Sequence, residues 1–246
     1  MNTEVKRRRG IYLLPNLFTT AGLFAGFYAV ISAMNERFEV AAIAIFVAMV
    51  MDGFDGRVAR MTNTQSDFGK EYDSLADMVS FGLAPSLVIY QWALAPLGKV
   101  GFVGAFVFAA GAALRLARFN TQVGMVDKRY FQGLASPAAA ALIAGFVWWG
   151  DDVGWVREEI AVIALLLTTA AGILMVSNIR YHSFKNVNLR GRVPFVKILV
   201  VVGVFGLVAM DPPSVLFLMA LVYAVSGIFL TLAQLRRRRA ERKKHD

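Results

Sequence analysis

Long apolar runs alternate with short polar segments along the whole chain. Each run extends over about 15 to 22 residues, close to the length that an α-helix needs to cross a bilayer. The predicted spans are residues 15–33, 38–60, 73–94, 100–119, 136–149, 160–176, 195–210 and 214–235. The pattern therefore predicts an all-α, polytopic integral membrane helix bundle with about eight transmembrane helices. We expect one transmembrane domain over 11–235, between a basic arm at 1–10 and a basic tail at 236–246.

Composition agrees with this prediction and limits the chemistry. Hydrophobic residues make up 57% of the 246 positions, and the mean hydropathy is +0.56, both above the values of an ordinary soluble domain. The chain has no cysteine, which excludes disulfides and thiolate metal sites. A bound metal would need oxygen or histidine ligands, which favours hard cations such as Mg²⁺ or Mn²⁺.

Basic residues are distributed unevenly between the predicted loops. If alternate loops lie on opposite sides, all but three of the 26 basic residues fall on one side. The exceptions are Arg37, Lys99 and Arg157. By the positive-inside rule, the basic side is cytoplasmic and both termini lie there, as in a bacterial or archaeal cytoplasmic membrane. The basic residues flank spans and do not alternate with exposed aromatic residues, so they favour contacts with anionic membrane lipids over nucleic-acid binding.

Four acidic residues interrupt this apolar pattern at the end of the second span and the start of the third. Asp52 and Asp55 are three positions apart, and Asp73 and Asp77 are four apart, so each pair shares one helix face. A charge at bilayer depth costs about 2.5 to 3.5 kcal/mol or more, and such acids usually line a polar cavity. Four neighbouring carboxylates cannot all remain ionised without counter-ions. Divalent cations are the simplest counter-ions, and four acids suffice for two of them.

Small residues follow the first acid pair. Gly56 and Ala59 lie one turn after Asp52 and Asp55, and leave a strip of the helix without bulky side chains. A phosphate ligand could approach the backbone there, and Arg60 could bind it.

The eight positions form the pattern D-x2-D-G-x2-A-R-x8-G-x3-D-x3-D, in which Gly69 is the second glycine. This pattern resembles the signature of the CDP-alcohol phosphotransferase family, and all eight positions match. The resemblance implies a membrane enzyme that moves a phosphatidyl group from a CDP-lipid to an alcohol. The positive-inside distribution places the acid pattern, and so the expected active site, on the cytoplasmic side.

The resemblance also implies roles for individual residues. Asp52, Asp55 and Asp73 would bind the divalent metal, and Asp77 would act as the catalytic base that also reaches a metal. The CDP-lipid would contact seven residues of this chain. These residues are Asn16, Thr19, Gly56, Ala59, Arg60, Ser66 and Gly69.

Four further segments resemble the phosphatidylserine synthase branch of the family. They begin at Glu71 (EYDSLADMVSFGLAPS), Arg115 (RLARFN), Phe131 (FQGLASPAAA) and Ser177 (SNIRYHSFKN). One departure is Ala135, where the branch is expected to have proline. The implied substrates are CDP-diacylglycerol and L-serine.

A serine carboxylate needs a cationic partner, and Arg115, Arg118 and Lys185 are the candidates. The alternative acceptors are glycerol phosphate, inositol phosphate and choline. A cation transporter is the alternative from another class. It is disfavoured because the acids cluster at one end of their spans, whereas a pore would spread them along its length.

Several glycines occur within the predicted spans. We expect them to permit close contact between helices, and they are also compatible with a homodimer, whose interface they do not identify. These glycines are Gly22, Gly26, Gly101, Gly104 and Gly111.

Overall fold

The computed structural model describes residues 13–62, 64, 66–121, 130–182 and 195–242. Eight helical segments and two short strands make up this part of the chain. The helices are α1 (Leu13–Met34), α2 (Phe38–Thr62), α3 (Asp67–Leu97), α4 (Lys99–Thr121), α5 (Ser136–Val153), α6 (Arg157–Val176), α7 (Phe195–Met210) and α8 (Pro212–Arg242). The strands are β1 (Tyr130–Gln132) and β2 (Arg180–His182).

The protein is a helical membrane bundle, as predicted. Five of the described helical segments are long and apolar enough to cross a bilayer. They are Leu14–Met34, Asp67–Leu97, Lys99–Thr121, Arg157–Val176 and Pro212–Thr231. Large apolar side chains such as Phe24, Phe106 and Phe205 are exposed on the outside, as expected of a surface that faces lipid. Eight crossings and cytoplasmic termini remain predictions from the sequence.

Helix α3 begins earlier than the sequence predicted, at Asp67 and not at Asp73. Its first turns are polar, and the Ser66 side chain caps them by accepting a hydrogen bond from the Gly69 amide. The Asp67–Asp77 segment is therefore helical before the apolar run starts.

The apolar part of α3 is irregular. A π-helical segment, Met78–Leu83, directly follows Asp77, and a second, Tyr90–Leu94, lies near the other end. Pro85 lacks the amide hydrogen that a regular α-helix would donate to the carbonyl of residue 81. Such π segments are often found at functional sites, and the first one adjoins the acidic residues.

Glycines allow several helices to pack at short distance, as predicted. A Cβ atom at Gly26 of α1 would lie 2.8 Å from the Cα atom of Ser80 on α3. A Cβ atom at Gly111 of α4 would lie 2.5 Å from the carbonyl oxygen of Gly172 on α6. Larger residues at these two positions would force the helices apart.

The two strands were not predicted. They pair antiparallel, with Phe131 opposite Tyr181, and so connect the segment before α5 to the segment after α6. The Tyr181 ring is fully buried, and burial raises the pKa of its phenol to about 12. The protonated hydroxyl donates a 2.9 Å hydrogen bond to the carbonyl of Ala224, which attaches the strand pair to α8.

Candidate active site

Helices α1, α2 and α3 meet around a polar cleft that contains all four predicted acidic residues. The cleft is open on one side, and its empty space, counted out into the opening, is about 180 Å³. Its lining residues are Thr19, Gly22, Ala48, Asp52, Asp55, Asp73, Ala76, Asp77, Ser80 and Phe81. The close contact of Gly26 with Ser80 keeps α1 against α3 beside this cleft.

Three of the acids form a compact group. Asp52 and Asp55 come from α2 and Asp73 comes from α3, and one carboxylate oxygen of each lies within 4.8 Å of the others. Asp55 is only 5% exposed, whereas Asp52 and Asp73 are half-buried. Two antiparallel helices thus bring together residues that are about twenty positions apart in the sequence.

This group fits a divalent cation. Two oxygens bound to one Mg²⁺ at about 2.1 Å lie at most about 4.2 Å apart. The three carboxylate oxygens of this group lie within 4.8 Å of one another, which is only slightly more. The donors are all carboxylates, which hard cations such as Mg²⁺ and Mn²⁺ prefer. Small side-chain rotations would therefore suffice to coordinate an ion.

Asp77 lines the same cleft but lies outside the group of three. It follows Asp73 by one helical turn and is the last residue before the π-helical segment. Asp77 therefore adjoins the group of three without belonging to it.

Two polar residues of α1 lie beside the acid-bearing helices. The Thr19 hydroxyl lies 2.8 Å from Oδ2 of Asp55 and 3.2 Å from the carbonyl oxygen of Pro15. Asn16 lies one turn earlier, and its Oδ1 would be 3.6 Å from a Cβ atom at Gly69. Asn16 is therefore beside the start of α3, while Thr19 contacts a predicted metal ligand directly.

The strip after the first two acids is open, as its small residues indicated. Among the residues that the structure describes, a Cβ atom at Gly56 would have one side-chain neighbour within 4 Å, Nη2 of Arg60 at 3.9 Å. The Arg60 Nε donates a 2.7 Å hydrogen bond to the Gly56 carbonyl, so this exposed side chain lies along the strip. Ala59 is half-buried on the same helix. A ligand phosphate at Gly56 would have the guanidinium of Arg60 next to it.

Helix α4 runs antiparallel to α3, and two of its arginines lie level with Asp77 along the pair of helices. Near one end of the contact, Nδ2 of Asn120 donates a 3.0 Å hydrogen bond to Oγ of Ser74. Further along, a Cβ atom at Gly82 would lie 3.1 Å from the Cβ atom of Ala112. On α4, Arg115 and Arg118 lie between Ala112 and Asn120, and on α3, Asp77 lies between Ser74 and Gly82.

The two arginines have different surroundings. Nη1 of Arg115 donates to the carbonyls of Gln132 and Gly133, at 3.3 Å and 3.2 Å, and so supports the end of β1. The half-buried side chain of Arg118 makes no hydrogen bond or ion pair with another residue of the described ranges. Lys185, the third predicted cation, lies outside the described residues.

Comparison with known proteins identifies the family. The family model for CDP-alcohol phosphatidyltransferase matches residues 12–179, which include the whole cleft. The chain belongs to this family. The resemblance inferred from the acid pattern is thus confirmed.

Named relatives from several organisms match most of the chain. A protein of Helicobacter pylori, named CDP-diacylglycerol--serine O-phosphatidyltransferase, is 37% identical over 219 residues, covering 89% of this chain and 90% of its own. Proteins of the same name from Methanocaldococcus jannaschii and Bacillus subtilis are 34% and 32% identical. These matches cover 75% and 70% of this chain, and 80% and 91% of the relatives.

The sequence did not reveal two features of this family member's site. The Thr19–Asp55 hydrogen bond joins residues 36 positions apart on different helices, and no local pattern indicates such a pair. The Ser74–Asn120 contact was also missed, although Asn120 belongs to the RLARFN segment that indicated the serine branch.

Proposed function

We propose that this protein transfers the phosphatidyl group of CDP-diacylglycerol to the hydroxyl of L-serine, forming phosphatidylserine and CMP. The observation that carries the proposal is the acid cluster, in which Asp52, Asp55 and Asp73 converge in a cleft that Asp77 also lines. The serine acceptor is supported by the names of the relatives. The family membership supplies the reaction class.

Asp52, Asp55 and Asp73 would hold divalent metal, Mg²⁺ or Mn²⁺, and we propose two ions with Asp77 as a further ligand. Bound divalent cations neutralise the carboxylates and the charge that develops on the diphosphate oxygens. The burial of Asp55 keeps water away from one side of this group. Charge interactions are stronger in such a site than in bulk water.

Asp77 is the proposed general base. It lines the cleft one turn beyond Asp73, so it could face the phosphorus of a diphosphate bound to metal that the other acids would hold. The serine hydroxyl gives its proton to Asp77, and its oxygen bonds to the phosphorus that carries the diacylglycerol. The bond from this phosphorus to the bridging oxygen breaks, and CMP leaves with that oxygen.

The donor would be held by the residues around the open strip. The bare backbone at Gly56 and Ala59 admits the diphosphate, and the guanidinium of Arg60 can donate to its oxygens. Asn16, with Ser66 and Gly69 at the start of α3, would complete the nucleotide site. The Ser66 oxygen already accepts a hydrogen bond from Gly69, but its hydroxyl proton is still available to a ligand.

Arg118 is the strongest of the three candidates for the serine carboxylate. It lies on α4 at the depth of Asp77, and its side chain has no hydrogen-bond or ion-pair partner among the described residues. Arg115 has two carbonyl partners, but a guanidinium has five N–H groups and can bind a carboxylate as well. We retain Lys185 as a candidate from the sequence alone.

The positive-inside distribution supports a cleft that faces the cytoplasm, where serine is available. The acceptor is tested by incubating purified protein with CDP-diacylglycerol, Mn²⁺ or Mg²⁺, and one labelled alcohol at a time. The alcohols are L-serine, glycerol phosphate, inositol phosphate and choline. We expect labelled phosphatidylserine. A labelled lipid formed from another alcohol, with none from serine, would overturn the serine assignment and leave the chemistry in place.

A further inference from the structure

The Thr19 hydroxyl sits between two oxygen acceptors in a buried part of the cleft. It is 2.8 Å from Oδ2 of Asp55 and 3.2 Å from the carbonyl oxygen of Pro15. A hydroxyl has one proton, so it can donate fully to only one of them. The family resemblance had instead implied that Thr19 contacts the CDP-lipid.

The geometry favours Asp55 as the acceptor. The carbonyl of Pro15 lies within α1, where the backbone amide of residue 19 is its regular helical donor. Oδ2 of Asp55 is closer, and a hydrogen bond to a charged carboxylate is stronger than one to a neutral carbonyl. Thr19 and Asp55 are each 5% exposed, so water cannot easily replace the hydroxyl as donor.

We infer that Thr19 is a positioning residue, which fixes the carboxylate of Asp55 in the orientation that binds divalent metal. This inference rests on the proposed function, because it takes Asp52, Asp55 and Asp73 as the metal site. Hydrogen-bond partners of metal ligands orient the ligand atoms, and their loss typically lowers metal affinity or activity by about 10- to 100-fold. Thr19 reaches the site from α1, so the metal site depends on three helices and not only on the two that carry the acids.

Thr19→Val tests this role because valine has nearly the shape of threonine but no hydroxyl. Thr19→Ser restores the hydroxyl. Thr168→Val is the matched control, since Thr168 is also buried on a helix, but its hydroxyl donates only within its own helix, at 2.7 Å to the carbonyl four residues earlier. Thr168 lies on α6, which contributes no residue to the cleft lining.

The first measurement is binding of Mn²⁺ alone to each purified variant, read from the electron paramagnetic resonance signal of free Mn²⁺. We expect Thr19→Val to weaken Mn²⁺ binding by about 10- to 100-fold, with Thr19→Ser and Thr168→Val close to wild type. The Tm of the metal-free proteins verifies that each variant is folded. Unchanged Mn²⁺ affinity in Thr19→Val, or an equal loss in Thr168→Val, would overturn the inference.

The second measurement separates positioning from contact with the nucleotide. At saturating Mn²⁺, Thr19→Val should regain turnover and keep a wild-type KM for CDP-diacylglycerol. A KM that stays raised at every Mn²⁺ concentration would show a substrate contact and refute the positioning role. Asp55→Asn is measured in parallel: if it binds Mn²⁺ like wild type, the metal site of the proposed function itself is wrong, and the role of Thr19 falls with it.

Discussion

Replacing Gly56 with leucine should weaken donor binding strongly without unfolding the protein. The structure separates these two effects, because among the described residues a Cβ atom at this position meets only the end of the Arg60 side chain, at 3.9 Å. That distance is an ordinary van der Waals contact, so the first atom of the new side chain has room in the absence of ligand. Leucine is also a better helix former than glycine, by about 0.5 to 1 kcal/mol.

The same side chain would occupy the strip where the diphosphate is proposed to lie. Forcing extra carbon atoms into a closely packed contact costs about 1 to 3 kcal/mol, which corresponds to roughly 5- to 150-fold weaker binding. Gly56→Ala adds a single carbon and should have a smaller effect. The expected result is therefore a graded loss of CDP affinity at an unchanged or raised Tm.

CDP binding is measured by calorimetry in the presence of Mn²⁺, and the Tm is measured on the same preparations. Gly203→Leu is the matched control, because Gly203 lies on α7, outside the cleft-lining helices, and a Cβ atom there has no neighbour within 4 Å in the described structure. It should change the Tm as Gly56→Leu does and leave CDP affinity unaltered. If Gly56→Leu binds CDP as tightly as wild type, the nucleotide is not bound at this strip.

Two further predictions concern α4. Arg118→Ala should raise the KM for serine with little change in CDP affinity or Tm, whereas Arg115→Ala should also lower the unfolding free energy by about 1.5 to 3 kcal/mol, because it removes charged hydrogen bonds to the carbonyls of Gln132 and Gly133. Serine kinetics and thermal unfolding of both variants check this. A wild-type serine KM in both variants would refute the carboxylate assignment. Gly111→Leu should destabilise the bundle by about 1 to 3 kcal/mol or more, because a side chain at residue 111 would meet the backbone of Gly172. A Tm equal to that of wild type would contradict the close packing of α4 against α6.

The hydrophobic pattern predicted the helices well because burial in lipid requires long apolar runs. The prediction failed for segments whose structure does not depend on burial in lipid. The first turns of α3 are polar, so the prediction began at Asp73, although the Ser66 cap already starts the helix at Asp67. The β1–β2 pair was missed because three-residue strands carry no periodicity, and the strands are held by contacts with distant residues, the Ala224 carbonyl and Arg115.

The candidate site was largely predictable because its four acids follow helical spacing and violate the apolar pattern. Local spacing places Asp52 with Asp55 and Asp73 with Asp77, but it cannot show which acids become neighbours across helices. The structure groups Asp52, Asp55 and Asp73 and leaves Asp77 apart. The contact between Thr19 and Asp55 depends on how α1 packs against α2, so no local sequence pattern indicates it.

The most direct test is formation of labelled phosphatidylserine from CDP-diacylglycerol and labelled L-serine by wild type, Asp73→Asn and Asp77→Asn, with CDP binding measured on the same samples. Wild type should form product with Mn²⁺ or Mg²⁺ and none with a chelator. Asp73→Asn should lose both turnover and metal-dependent CDP binding, since it removes a ligand of the cluster. Asp77→Asn should bind CDP and form no product, because an amide cannot accept the hydroxyl proton. Full turnover by either variant, or by wild type in the presence of chelator, would contradict transfer at the acid cluster.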